Sequence, residues 1–283
     1  MTLVFVHGGV SGVAKPQPVP LGFSLAGARG AESALDAVED AVRALEDHPR
    51  LNAGYGAVLN LSGQVELDAG ISDGVTGRSG GVGNVAVRHP ISLARKVLEE
   101  TPHVLITGAG AASLGAEMER LDGTTPEELA RWEQARAEGR LHPARFGDPA
   151  EVDTVGAVAV DATGGLAAGS STGGVFGKMP GRMGDSAIFG AGHYASAATA
   201  VVGTGVGEMF LRALASARTG MLIEEGAHPQ AACETVIELL AGVARLPAGL
   251  LAVDGAGRYG AAYRGGSWDV EGPEGPVEPV RLP

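Results

Sequence analysis

Glycine is placed along this chain in a way that few folds accommodate. The 46 glycines gather in short runs at 8–12, 54–56, 70–83, 108–115, 164–174, 181–192 and 203–207. Collagen would need a strict three-residue period, which is absent. Glycine permits positive φ and close approach of backbone to a neighbour or ligand. A glycine-lined cleft between packed sheets is one reading and ordinary tight turns are the other; the sequence leaves both open. With 45% hydrophobic residues in a chain of 283, a sizeable core is available.

Periodicity places the elements between those runs. Residues 2–7 alternate and read as a first strand. Residues 31–47 read as a helix, with Ala31, Ala34, Leu35, Val38, Ala41, Val42 and Leu45 on one face and Glu32, Asp36, Glu39, Asp40 and Arg43 opposite. A hairpin is expected over 56–60 and 64–71 around Ser62-Gly63, then a helix at 91–100 and a short strand from His103 to Thr107. Thr125-Pro126-Glu127-Glu128 carries the signal of a helix start, a hydroxyl cap with proline in the first turn, and that helix should run to about Glu138. From Gly139 to Val152 periodicity stops and a linker is expected, here counted to residue 153. Thr154–Asp161 then reads as a buried strand and Leu166–Ser171 as its return. Helices near 207–218 and 227–244 and strands near 250–254 and 258–263 close the chain. This order predicts an α+β fold, an αββα four-layer sandwich of two mostly antiparallel sheets flanked by helices.

Charge and composition remove several classes of function. A formal charge of −12 repels polyphosphates, so no nucleic-acid partner is expected. No apolar run reaches the length of a membrane helix, and the N-terminus lacks the basic start of a signal peptide. Cys233 is alone and reads as a helix-face filler; a cytoplasmic protein is expected.

Three runs of small residues bear on chemistry. Gly108-Ala-Gly110 follows a strand but lacks the third glycine and the acidic partner of a dinucleotide fingerprint, so it reads as a strand-to-helix turn. Ser170–Gly174 with Arg182 and Asp185 could form a receptor for an amino-acid head group, the guanidinium on a carboxylate and the carboxylate on an ammonium, or a surface ion pair. Gly203–Glu208 opens a helix and could offer amides to an oxyanion, or be a plain glycine-rich cap. No Gly-x-Ser-x-Gly elbow is present, and the seven histidines have no metal-site spacing. Thr154 stands at the seam between linker and strand. If the bond before it were cut, its own α-amine, titrating near about 8, could serve its hydroxyl as base.

Several segments together resemble the plant-type L-asparaginase / isoaspartyl peptidase family of N-terminal-threonine (Ntn) hydrolases, the sister group of the glycosylasparaginases. They are Asp153–Asp161, Ser171–Gly174, Gly181–Ser186, Gly190-Ala-Gly192-x-Tyr194-Ala195 and Gly203–Glu208, with His7-Gly-Gly9, Ala37–Val42, Leu45-Glu46, Asn52–Gly54, Glu66–Ala69, Asp73-Gly74 and Pro90–Arg95 upstream. The resemblance runs in order through essentially the whole chain. It implies self-cleavage between Asp153 and Thr154 into pieces 1–153 and 154–283, one structural domain, and an (αβ)2 assembly. It implies Thr154 as nucleophile, Thr172 as the threonine that tunes it, Thr204 and Gly205 as oxyanion hole, and Asn52 as a positioning residue. Arg182 would bind the substrate α-carboxylate and Asp185 its α-ammonium. A sodium ion is implied on the carbonyls of Leu45, Glu46, His48, Leu51, Ala53 and Tyr55, with no organic cofactor.

The chain departs from the family at Asp153, where glycine is usual, at Gly177 in place of asparagine, and in the glycine-rich stretch Val75–Val85. An Asp-Thr junction is similar to glycosylasparaginase, whereas Val152 and Gly174 are not. The expectation is a self-processing amidohydrolase acting on L-asparagine and β-aspartyl dipeptides. Its rivals are a glycosylasparaginase and an unprocessed binding protein of the same fold.

Overall fold

Successive residues of a strand face opposite sides of a sheet, and in the first strand Val4 and Val6 join one core cluster while Phe5 joins the other. The computed structural model describes residues 1–12, 18–142 and 153–283. In chain order these form β1 (Leu3–Ser11), α1 (Gly22–Ala28), α2 (Ala34–Glu46), β2 (Leu67–Asp73), β3 (Arg78–Val85), α3 (Pro90–Glu100), β4 (Leu105–Thr107), α4 (Gly108–Leu114) and α5 (Pro126–Ala137). There follow β5 (Val155–Val160), β6 (Leu166–Thr172), β7 (His193–Ala195), β8 (Thr199–Gly205), α6 (Gly207–Ala213), α7 (Ala215–Glu224) and α8 (Pro229–Val243). The chain ends in β9 (Ala248–Asp254), β10 (Tyr259–Arg264), β11 (Ser267–Gly272), β12 (Gly275–Pro276) and β13 (Val280–Arg281). The larger sheet runs β12-β11-β1-β5-β6-β2-β3-β4 and the smaller β13-β10-β9-β8-β7. All pairings are antiparallel except β3 with β4 and β10 with β13.

The layering is the expected αββα sandwich. One core fills the space between the larger sheet and α1–α3, with Val38, Leu45, Ile71, Ile91 and Val155 among its members. The other lies between the sheets and beneath α6–α8, with Phe5, Val158, Val202, Phe210 and Leu251. At β5 the alternation is complete: Val155, Ala157 and Ala159 face the helices, Val158 and Val160 the smaller sheet. β5 lies between β1 and β6 at the centre of the larger sheet, so that sheet draws on both sides of the Asp153–Thr154 bond.

Local signals placed the helices well. Ser33 caps α2 by accepting the Asp36 N–H at 3.1 Å, and Thr125 caps α5 by accepting the Glu128 N–H at 3.2 Å; such caps contribute about 1 kcal/mol each. The expected hairpin at 56–60 and 64–71 is not formed. Asn60 Oδ1 accepts the N–H groups of Ser62 and Gln64, and the Leu61 N–H reaches the Lys178 carbonyl. Residues 57–60 thus find partners outside a ladder, and β2 pairs instead with β3. β3 is a glycine-rich strand because its neighbours come close: a Cβ at Gly80 would strike the Ala94 carbonyl oxygen and one at Gly81 that of Ala187. The single helix expected at 207–218 is broken at Leu214, which takes φ 50 between α6 and α7. Of the expected linker, residues 143–152 lie outside the described residues.

Candidate active site

Thr154 immediately precedes β5 and is 4% exposed. The β5–β6 register sets Val155 opposite Ser171, which brings Thr154 beside Thr172 at the end of β6. The Thr154 hydroxyl donates to Thr172 Oγ1 at 3.3 Å, and the Thr172 hydroxyl donates to the Asp153 carbonyl at 3.1 Å. Thr172 Oγ1 is fixed from behind by the Gly174 N–H at 3.0 Å. Asn52 completes this corner: its Nδ2 donates to the Asp153 carbonyl at 3.0 Å and to the Gly174 carbonyl at 2.7 Å, while its Oδ1 accepts the Val58 N–H at 3.0 Å. Two donors therefore converge on the carbonyl oxygen of the bond expected to be cut, beside the hydroxyl expected to attack it. Donors preset on an oxygen that gains charge are what an acyl transfer needs.

Thr204 and Gly205 are the last residues of β8, and the helix begins only at Gly207. The sequence reading put the run 203–208 on a helix start; the structure puts these two residues on a strand end, because Thr204 pairs with Gly249 and Gly205 with Ala248 in the β8–β9 ladder. Thr204 is fully buried, and its Oγ1 accepts the Val10 N–H at 3.3 Å. A hydroxyl that already accepts a hydrogen bond keeps its proton to donate elsewhere.

Thr154, Thr172, Gly174, Arg182, Asp185 and Gly205 are among the residues lining one narrow cleft. Arg182 meets Glu208 edge-on, Nε and Nη2 donating to its two carboxylate oxygens at 3.0 and 2.8 Å. The two-pronged contact is thus made within the chain, and Nη1 is the atom turned toward Gly174 and Gly184. Asp185 is 3% exposed, and its Oδ2 has no hydrogen-bond partner among the described residues. Burial pushes its carboxyl up to about 7, against the pull of its own backbone N–H and of Arg182. Gly207 makes room for it, since a Cβ there would lie 2.8 Å from Asp185 Oδ1.

The described residues offer no histidine on the cleft wall. His7 lies one strand away on β1, opposite Gly156, where burial holds its imidazole neutral with a pKa of about 3. It is a poor proton acceptor at neutral pH. Cys233 is buried in the second core, and burial raises its thiol pKa far above neutrality.

The turn 45–56 is where the sodium ion that the resemblance implies would sit. Its carbonyls crowd inward: a Cβ at Gly56 would meet the oxygens of His48, Pro49 and Leu51, and one at Gly54 that of Glu46. The Glu46 side chain turns away, accepting the Ile91 N–H at 3.0 Å and facing His89 Nδ1 at 3.2 Å. Backbone oxygens can ligate a hard cation, but in this turn those of Leu45, His48, Leu51 and Ala53 each accept a backbone N–H, and that of Tyr55 accepts the Thr124 hydroxyl at 3.3 Å, so of the six implied ligands the Glu46 carbonyl is the one left to a cation alone among the described residues. Side chains alone would not reveal it, for no cluster of His, Cys, Asp or Glu among the described residues could hold a metal.

Sequence reasoning missed Glu208 as the partner of Arg182, and it missed Asp68 and Lys178, a buried pair 3.8 Å apart beneath the same turn. Glu208 and Asp68 both stood inside segments of the resemblance, but nothing local pairs them with Arg182 or Lys178, which they meet only in the folded chain. Among the described residues no helix is long and apolar enough to cross a membrane.

Comparison with known proteins gives the family. A family model described as asparaginase matches residues 25–267. An isoaspartyl peptidase of Salmonella typhimurium is 45% identical over 243 residues, covering 80% of this chain and 76% of the relative. A plant-type L-asparaginase of Pyrococcus abyssi is 40% identical over 285 residues, 93% of each chain. An isoaspartyl peptidase/L-asparaginase of Rattus norvegicus is 37% identical over 280 residues, 94% of this chain and 84% of the relative. With a four-layer sandwich, a threonine pair at its centre and a family model that spans most of its length, the chain belongs to the asparaginase family.

Proposed function

We propose that this protein is a self-processing amidohydrolase of L-asparagine and β-aspartyl dipeptides with Thr154 as its nucleophile. The observation that carries the reading is the convergence of Asn52 Nδ2 and the Thr172 hydroxyl on the Asp153 carbonyl, with the Thr154 hydroxyl alongside. In the first acyl transfer the Thr154 oxygen attacks that carbonyl carbon, and the peptide C–N bond breaks to leave an ester and a free Thr154 amine. Water then releases residues 1–153 from 154–283. In catalysis the same oxygen attacks the substrate side-chain amide and its proton passes to the Thr154 amine. Thr204 and Gly205 hold the oxyanion. The amine returns the proton to the departing ammonia or amino acid, and water releases aspartate.

Arg182 would receive the α-carboxylate through the edge that Glu208 leaves open, and Asp185 the α-ammonium. A sodium ion on the carbonyls of Leu45, Glu46, His48, Leu51, Ala53 and Tyr55 would stiffen the loop that delivers Asn52. An (αβ)2 dimer and a cytoplasmic setting complete the reading, the latter supported by a lone cysteine that is buried and needs no oxidising compartment.

The test is a comparison of substrates. L-Asparagine and β-Asp-Leu should be hydrolysed, and their N-acetylated or α-amidated analogues should not. Equal rates on free and blocked substrates would refute the head-group assignment. Faster release of the sugar from N-acetylglucosaminyl-asparagine would favour the glycosylasparaginase reading, and no hydrolysis of any of them would favour a binding protein.

A further inference from the structure

The segment that carries Arg182 and Asp185 belongs to no strand or helix, so its placement comes from what it rests on. Between the pairs Leu67–Val85 and Ala69–Val82, β3 holds one residue more than β2, so Asp68 faces both Gly83 and Asn84. Such a bulge takes an N–H out of the ladder and re-aims it. Asn84 adopts φ 55 there, a left-handed conformation that a residue other than glycine keeps only where its surroundings hold it. Its N–H donates to Asp68 Oδ1 at 3.0 Å, and its Nδ2 reaches the Gly181 carbonyl at 3.3 Å. The other oxygen, Asp68 Oδ2, accepts the Gly184 N–H at 3.2 Å and lies 3.8 Å from Lys178 Nζ. Lys178 in turn donates to the Glu66 carbonyl at 2.8 Å. Neither side chain meets solvent appreciably, with 0% and 1% exposure. Gly83 leaves the space that the Met183 thioether fills. On its opposite side Asp68 is in register with Thr172.

We propose that Asp68 is the positioning residue of substrate head-group recognition. One carboxylate ties the bulge to the 181–185 turn, and it does so from the residue paired with Thr172. It thereby sets the distance between the groups that grip the substrate and the threonines that cut it. This rests on the head-group roles of Arg182 and Asp185 given above.

The test uses the processed enzyme, with cleavage checked by intact mass. Asp68→Asn keeps the shape, loses the charge and leaves the buried Lys178 with only the weaker attraction of Glu66. Asp68→Asn with Lys178→Met removes both charges, and replacing a whole buried pair costs far less stability than breaking it. The single variant should lose thermal stability and raise the L-asparagine KM about tenfold while kcat stays within about threefold. The double variant should recover most of the lost stability and keep the raised KM. A purely structural role predicts that KM recovers together with stability, and that result, or a wild-type KM in the single variant, overturns the proposal. If the single variant yields no soluble protein, the double decides alone: a raised KM supports the role and a wild-type KM ends it. Wild-type enzyme that fails to hydrolyse asparagine would instead remove the underlying functional reading.

Discussion

The two corners of the cleft are built from opposite materials. At the nucleophile corner Thr154, Thr172, Asn52 and the Asp153 carbonyl are neutral groups, already joined by hydrogen bonds of 3.0 to 3.3 Å. At the proposed head-group corner Arg182, Glu208, Asp185, Asp68 and Lys178 are ionisable, and one buried acceptor, Asp185 Oδ2, has no partner among the described residues. The hydrogen bonds of the first corner are in place without substrate. The second carries a buried carboxyl whose missing partner a ligand would supply, and an unpartnered buried charge is costly until that happens. If the proposed roles hold, the difference teaches that this fold would preset its chemistry with neutral hydrogen bonds and keep buried ionisable groups for recognition. Substitutions at the first corner should therefore act on kcat, and those at the second on KM.

The sharpest break of that division is Thr154→Ala. With no hydroxyl, both self-cleavage and turnover should be lost, and a sensitive ammonia-release assay should find only background. Next comes the oxyanion donor. Thr204→Val keeps the shape and deletes the hydroxyl, so kcat should fall on the order of 10²-fold with KM little changed. A processed variant turning over at the wild-type rate would withdraw that role from Thr204. At the other corner Arg182→Lys should raise KM by roughly tenfold to a hundredfold, because an ammonium cannot hold both Glu208 and a substrate carboxylate in one plane. A fall in kcat with KM unchanged would place Arg182 in the chemical step and erase the contrast.

The gentlest probe is pH. Burial sets the Asp185 carboxyl near 7, so it gains its charge as pH rises through that value. Only the carboxylate attracts the substrate ammonium, so the KM for asparagine should climb as pH falls below about 7. In Asp185→Asn that dependence should flatten, while kcat keeps an acidic limb from the Thr154 amine, since a free α-amine ordinarily titrates near about 8. KM profiles that superpose for the two proteins would show that Asp185 does not titrate with binding.

How much of this was legible beforehand follows from where each signal lives. The seam at Thr154 was legible because linker texture and a buried strand meet there, but a nucleophile's role for it came only from the resemblance; α2 and α5 were legible because their caps and apolar faces are local. Arg182 and Asp185 were legible as a charged pair at short spacing. Asp68 was not, since its partners are Asn84, Lys178 and Gly184, distant in sequence and brought near by a bulge. β3 was not, because the reason for its glycines is the carbonyls of Ala94 and Ala187. The break at Leu214 was not, for a left-handed leucine has no local signal. Strand patterns and caps are written in neighbouring residues; charges that meet across the fold are not.

The central claim is that a single residue, Thr154, first cuts its own chain and then cuts substrate. Intact-mass analysis of the purified protein, followed over days at mild temperature beside an asparagine assay, tests it most directly. The account predicts two polypeptides, residues 1–153 and 154–283, with activity rising in step with their appearance and Thr154→Ala remaining whole. A chain that stays in one piece and still hydrolyses asparagine would contradict it.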